Sequence, residues 1–419
     1  MRKILLPLLL LLAAGALGGT TFTSKSMLFA DSYMLRAQGC DANYWNPALL
    51  NAHDHDLWLP AINLGIYAGN NSLSLDLYNY VMEQDYLDDA DKQHILDAID
   101  GKLDFNFGGQ ISIFGLTLGN TAFTNSIHLG GRAAITEKVV QLALYGNGDG
   151  SEIYEFNKAE NNASALAYLD FTLGMGDIRI PLPETIPDIK FGFAASLLAG
   201  IGTGNTEKVD GRLSSNLDGL NADLDALLRA GAGGYGFKGL LGLYSEPLPN
   251  LRAGITLDNV FGFLKWGAVR RDYRYQFAAD SVYVADIQSD IEELYTDELT
   301  ETKGDPFTTN LPPELRLSAL YKMNQASLSV DLVKGFGEGP NLSKTVRFAI
   351  GAELTPLPIL PLYLGFGSGN DSYPWRVSYG IGVNLKALQF GLGIQSLENL
   401  LPGYSSKGIA FASYFNLRI

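Results

Sequence analysis

Large apolar residues alternate with small or polar ones over long stretches of this chain. Ile189, Phe191, Phe193, Ala195, Leu197, Ala199 and Ile201 fall on one face of an extended segment. Lys190, Gly192, Ala194, Ser196, Leu198, Gly200 and Gly202 fall on the other. Successive side chains of a strand point to opposite faces, so this is a strand with one apolar face. Such a run is longer than the ~5–6 residues of an ordinary strand and matches the ~9–11 that a tilted membrane strand needs. The same period recurs at Ala165–Met175, Leu251–Asp258, Val346–Leu354, Val377–Leu385, Leu388–Gln395 and Ile409–Ile419. The runs predict an all-β fold, a transmembrane antiparallel β-barrel of about 14 strands, within about 12 to 16.

The connections predict two ends. Pro-rich turns stand at Pro181–Pro187, Pro247–Asn250, Leu311–Glu314 and Pro356–Pro361, where Pro interrupts a ladder. Long polar connections stand at Thr203–Gly234 and Gly262–Asn310. Within them Asn216–Arg229 and Asp286–Thr300 carry apolar residues at three- and four-residue spacing, which predicts small helical caps. Tyr78–Ile99 reads as an acidic helical insertion, with Asp88, Asp89 and Asp91 at a helix start.

Composition sharpens this picture. Charged residues are 18% of the chain and Gly numbers 47, which suits an apolar outside and a polar inside. The formal charge of −15 excludes a nucleic-acid partner, because phosphate contacts need Lys and Arg patches. Met1-Arg2-Lys3, the leucine-rich Ile4–Leu12 and the small residues from Ala13 to Gly19 have the layout of a cleaved secretory signal, placed at residues 1–18. The destination is then the bacterial outer membrane, with its lipid as a partner. Cys40 is the single cysteine, and charged residues separate it from the leucine run, which argues against lipidation.

Gly39-Cys-Asp-Ala-Asn-Tyr-Trp-Asn-Pro-Ala-Leu-Leu50 resembles the Asn-Pro-Ala segment of FadL-like outer-membrane proteins. That superfamily includes fatty-acid transporters, PorV-type secretion components and TraF-like plasmid-transfer-associated proteins. Leu57–Asn63 and Asn70–Ser74 look closest to the TraF-like proteins and to an uncharacterised Bacteroidota outer-membrane family. The resemblance implies that residues 19–56 form a hatch plugging the lumen of a barrel at 57–419; the other reading of the segment is a plain structural tuck at the barrel entrance. Gly39, Asp41, Tyr44, Trp45, Asn46, Pro47 and Ala48 would carry it. The residue before Pro avoids the helical region, so Asn46-Pro47 also favours a turn on its own account.

Enzyme chemistry finds no anchor. Gly231-Ala-Gly-Gly-Tyr-Gly236 fits a dinucleotide fingerprint, but a helical pattern precedes it and a strand follows, the reverse of what a phosphate site needs. His53-Asp-His-Asp56 reads as a solvated turn, and Asn147–Ser151 lacks the later ligands of a calcium loop. His94 and His128 stand alone, and no nucleophile elbow exists. No cofactor or metal is expected. Asp170, Lys190, Lys238, Arg252, Asp258, Arg316, Lys322, Asp331, Arg347 and Glu353 fall on inward faces, and this mixture of signs fills a narrow lumen. Two functions remain: a hatch-gated transporter of hydrophobic or amphipathic small molecules, or a non-transporting barrel that binds other envelope proteins.

Overall fold

Period-two segments pair edge to edge into one antiparallel sheet that closes on itself. The computed structural model describes residues 23–53, 55–58, 63–147, 152–183, 187–216, 219–282, 295–337, 344–370, 373–385 and 387–418. The signal segment at 1–18 lies outside them.

Among the described residues there are eighteen strands. The first six are β1 His55–Trp58, β2 Leu64–Asn70, β3 Lys102–Leu118, β4 Thr121–Thr136, β5 Ile153–Asn157 and β6 Asn162–Ile180. Three long ones follow: β7 Ile189–Asn216, β8 Gly219–Leu248 and β9 Leu251–Val282. The rest are β10 Tyr295–Thr302, β11 Phe307–Leu311, β12 Glu314–Lys322, β13 Ala326–Gly335, β14 Val346–Leu357, β15 Leu360–Asn370, β16 Tyr373–Asn384, β17 Leu388–Leu397 and β18 Gly408–Arg418. They occupy fourteen positions in the ring. β1 and β2 both lie between β18 and β3, β5 and β6 both pair with β7, and β10, β11 and β12 all pair with β9. Where β1 gives way to β2, the Asn63 side chain stands in for a ladder residue. It accepts from the Phe415 N–H at 2.7 Å and donates to its carbonyl at 3.2 Å.

Both faces of the wall follow the alternation. Phe193, Leu197 and Ile201 are 41%, 66% and 51% exposed, whereas Ala194, Ser196 and Leu198 are buried. Leu173 on β6, Leu241 on β8, Ile350 on β14, Leu364 on β15 and Phe411 on β18 extend the outward apolar belt round the ring. A belt of this extent is an interaction surface, and lipid is the solvent it suits.

Short turns follow β3, β6, β8, β12, β14 and β16 at one end, and the opposite end carries the long connections. Helices Leu75–Met82, Asp89–Ile99 and Glu137–Tyr145 sit there. The second opens on a capping box in which Asp88 and Asp91 each take the other's backbone N–H.

Three expectations need correction. Gly219–Arg229 is strand, not helix, and so is Tyr295–Thr302; residues 217–218 and 286–294 lie outside the described residues. Leu220, Ala222, Leu224 and Ala226 also alternate with Asn221, Asp223 and Asp225, and pairing with β7 and β9 lets period two win. Thr203–Gly234 and Gly262–Asn310 are therefore mostly wall, not loop. Leu311–Glu314 is not an end turn: it is a break between β11 and β12, with Asn259 Nδ2 donating to the Pro312 carbonyl at 3.1 Å.

Candidate functional site

The ring is not empty. Thr23–Leu50 runs inside it as short helical turns at Ser24–Met27, Gly39–Asp41, Ala42–Trp45 and Pro47–Leu49, and nearly every residue is buried. The Asn46 side chain caps the last turn by accepting from Ala48 N at 3.1 Å. Wall glycines give the segment its seat. A Cβ on Gly176 would stand 1.8 Å from the Pro47 carbonyl oxygen, one on Gly192 2.2 Å from Ala48 N, and one on Gly242 2.1 Å from Asn46 Oδ1. The inward glycines thus hold no open bore; they admit another backbone.

Side chains of the segment complete the contact. Tyr44 donates to Asp170 Oδ1 at 2.8 Å and lies 3.0 Å from Ser126 Oγ. Asn43 Nδ2 donates to Thr124 Oγ1 at 2.8 Å and Asn46 Nδ2 to the Leu243 carbonyl at 3.0 Å. Trp45 Nε1 donates to Thr23 Oγ1 at 3.1 Å, and the Arg316 guanidinium covers its ring at 4.1 Å. Asp41 accepts from Tyr33 at 3.0 Å and faces Lys25 at 3.4 Å. Gly39 has φ +54°, and a Cβ there would overlap the Asp56 carboxylate, so only glycine fits.

The ten inward charges fall into two groups. Asp170, Lys238, Asp258, Arg316 and Asp331 are buried at the level of the segment, with Arg347 beside them, bonded with Arg316 to Glu314. Lys190, Arg252, Lys322 and Glu353 stand at the short-turn mouth. There Lys190 pairs with Asp177 at 2.6 Å, Arg252 with Glu246 at 3.1 Å and Glu353 with Arg36 at 3.3 Å. His128 does not stand alone: its Nε2 lies 2.8 Å from Asp170 Oδ2 and its ring stacks on Tyr168. The inward alternation of β4 and β6 could have found this pair, since β4 places His128 two residues from Ser126. Lys25, Asp31, Tyr33 and Arg36 have no motif and emerge only from packing.

Two cavities open at the short-turn mouth. One, of about 340 Å³, lies against Leu28, Phe29, Tyr33 and Arg36 of the segment and Tyr363 and Tyr414 of the wall. The other, of about 960 Å³, is polar and includes His53, His55 and Asp56. Among the described residues no group of His, Cys, Asp or Glu could hold a metal ion. On the far side of the segment Leu166, Tyr168, Leu198, Leu264, Trp266 and Leu311 close an apolar layer. The run Gly231–Gly236 serves this layer: a Cβ on Gly234 would meet the Trp266 ring at 2.7 Å and one on Gly231 the Phe307 ring at 2.9 Å.

Residues 47–262, more than half of the chain, match the model of a family of unknown function, DUF5723. The chain belongs to the DUF5723 family. The DUF5723 match begins at Pro47, in the seated turn, and runs through the long-stranded arc into β9. No curated protein matches the chain in sequence. In fold it is similar to a FadL homologue of Pseudomonas aeruginosa, 10% identical with TM-score 0.51, covering 97% of this chain and 100% of that one. A deltaS2S3 mutant of the monoaromatic hydrocarbon channel TodX, a Pseudomonas putida protein, is 12% identical with TM-score 0.50, covering 97% and 98%. At these identities the likeness is one of fold, and it places a DUF5723 chain in the architecture of the FadL-like barrels.

Proposed function

We propose that this chain is an outer-membrane transporter of hydrophobic or amphipathic small molecules, exported behind the signal at 1–18, and that the buried segment Thr23–Leu50, within the expected 19–56, is its hatch. It is not an enzyme on this reading. One observation carries it: a segment of the same chain, Thr23–Leu50, lies buried inside the ring, held by non-covalent contacts within a wall whose strands pair with one another. A plug of that kind can move without breaking the barrel. The apolar belt supports lipid as the surrounding solvent. The fold is shared with a FadL homologue and with a protein named as a hydrocarbon channel. The test is deletion of Met27–Leu50. The truncated barrel should assemble and conduct ions in planar bilayers while the intact protein stays nearly silent. A folded truncation that is equally silent would refute the hatch.

A second reading has its own observation. β7, β8 and β9, at 28, 30 and 32 residues, exceed what a membrane requires and project with β5 and β10 as a sheet. One face of that sheet carries Leu224, Leu228, Tyr273, Tyr275, Phe277 and the exposed Leu299. Binding of another envelope protein there would make the chain a scaffold. Deleting the projection at 207–228 and 271–302 would then abolish partner capture and leave uptake of hydrophobic probes intact.

A further inference from the structure

Both halves of the hatch lie in glycine hollows of the wall, but among the described residues only the first is also tied to it by ion pairs. Gly39–Leu50 lies on β4, β6, β7 and β8 through hydrogen bonds of Asn43, Tyr44 and Asn46. Ser24–Ala37 lies on the opposite, short-stranded arc, where a Cβ on Gly365 would stand 2.3 Å from the Phe29 carbonyl carbon, and it adds charged ties. Arg376 Nη2 donates to Asp31 Oδ2 at 2.7 Å and to the Ala30 carbonyl at 3.2 Å, and Arg316 Nη1 to the Asp31 carbonyl at 3.3 Å. Arg36 reaches Glu353 at 3.3 Å and Ser329 Oγ at 2.9 Å. The backbone between these ties is strained: Ala30 and Asp31 have φ of +50° and +65°, a left-handed pair that L residues adopt only when held. The cavity of about 340 Å³ lies between this half and its wall.

Resting on the hatch reading, we propose that the hatch opens by its first half alone. Ser24–Ala37 is a strap, clamped at Asp31 by Arg316 and Arg376, that swings into the neighbouring cavity about Gln38 and Gly39 while Gly39–Leu50 stays seated. Withdrawing one partner from this partly buried ion pair leaves a poorly compensated charge, so the clamp governs release. Once released, the Ala30–Asp31 turn relaxes, and the cavity receives the displaced side chains. The seated half has no such relief, because moving it strands Asn43, Tyr44 and Asn46 and the wall groups they satisfy. Bonds from Tyr33 and Lys25 to Asp41, and from Trp45 to Thr23, link strap to seat and return it to the closed state.

Two disulfide locks in the full mature barrel, with Cys40→Ser as background, decide between the halves. Ser32→Cys with Ser329→Cys ties the strap to the wall, the native hydroxyls being 2.8 Å apart. Asn43→Cys with Thr124→Cys ties the seat, where the native side chains meet at 2.8 Å. The strap lock should abolish uptake of radiolabelled dodecanol until dithiothreitol restores it, and the seat lock should leave uptake unchanged. The reverse result overturns the strap. Hydrogen exchange gives an arm independent of transport. Amides of 24–36 should exchange before those of 40–50, and Asp31→Asn or Arg376→Gln should speed the first group about tenfold or more without moving the second. Uniform exchange overturns the proposal. If the intact barrel passes no probe at all, the transport reading fails, and exchange alone decides the strap.

Discussion

Single side chains decide whether a lumen is a pore or a seat. Asp170 is fully buried, and Tyr44, the Ser126 N–H and His128 all reach its carboxyl oxygens. Tyr44→Phe removes one donor and leaves its share of the carboxylate unsatisfied. The expected cost is about 1–3 kcal/mol, read as a lower midpoint in urea unfolding from lipid vesicles. An unchanged midpoint would mean that Tyr44 does not hold the segment. Gly192 works by absence. A valine there would run into Ala48 N and the Pro47 carbonyl carbon, at 2.2 and 2.3 Å from the Cβ. Gly192→Val should therefore leave the barrel assembled but expose 39–50 to protease, and continued protection would refute the seat.

Strands carry their own test of environment. Phe193 and Ala194 are neighbours on β7, one on the belt and one inside. Phe193→Arg should impair assembly, since a cation on the lipid face costs about 2–4 kcal/mol at mid-depth, while Ala194→Ser should be mild. Equal tolerance would remove lipid from the outer face. The projecting strands are held by a different device. Arg274 and, after it, Lys208 bond Asp225 and hold its carboxyl well below the usual carboxylate range. A depressed carboxyl contributes stability above its unfolded value and loses it only as pH falls through the lower folded one. Protection of 219–232 from hydrogen exchange should thus persist from neutral pH down through about 4, and Arg274→Ala should make it fail at higher pH.

For the whole molecule, the ring makes a prediction that no single strand does. The described strands of the wall pair round a closed circuit, the one structure besides a helix that hydrocarbon tolerates. The protein should fractionate with the outer membrane and migrate on gels as a compact species that heating converts to a slower one. Recovery as a soluble periplasmic protein would contradict the membrane reading. The ring is also lopsided: β8 spans roughly 100 Å of strand at ~3.3 Å per residue, against roughly 30 Å for the nine residues of β12. The family match falls on the long side, and the strap rests on the short side.

Much of this was legible from period two alone. Alternation named the class, the outward and inward residues of β6, β7, β14 and β18, and a ring of about fourteen positions, because lipid permits only one pattern on a strand's outer face. The capped acidic helix at Asp89–Ile99 was legible for the same kind of reason: its signals are local. What sequence could not decide were choices settled by partners distant in the chain. Asn216–Arg229 carries a helical spacing, yet its described part, Gly219–Arg229, is strand because β7 and β9 flank it. Asp31 found Arg376 only when the ring closed around the segment that carries it. The inward glycines predicted narrowness; tertiary structure alone turned that narrowness into a seat, because a missing Cβ records that space is needed and never says which segment will fill it.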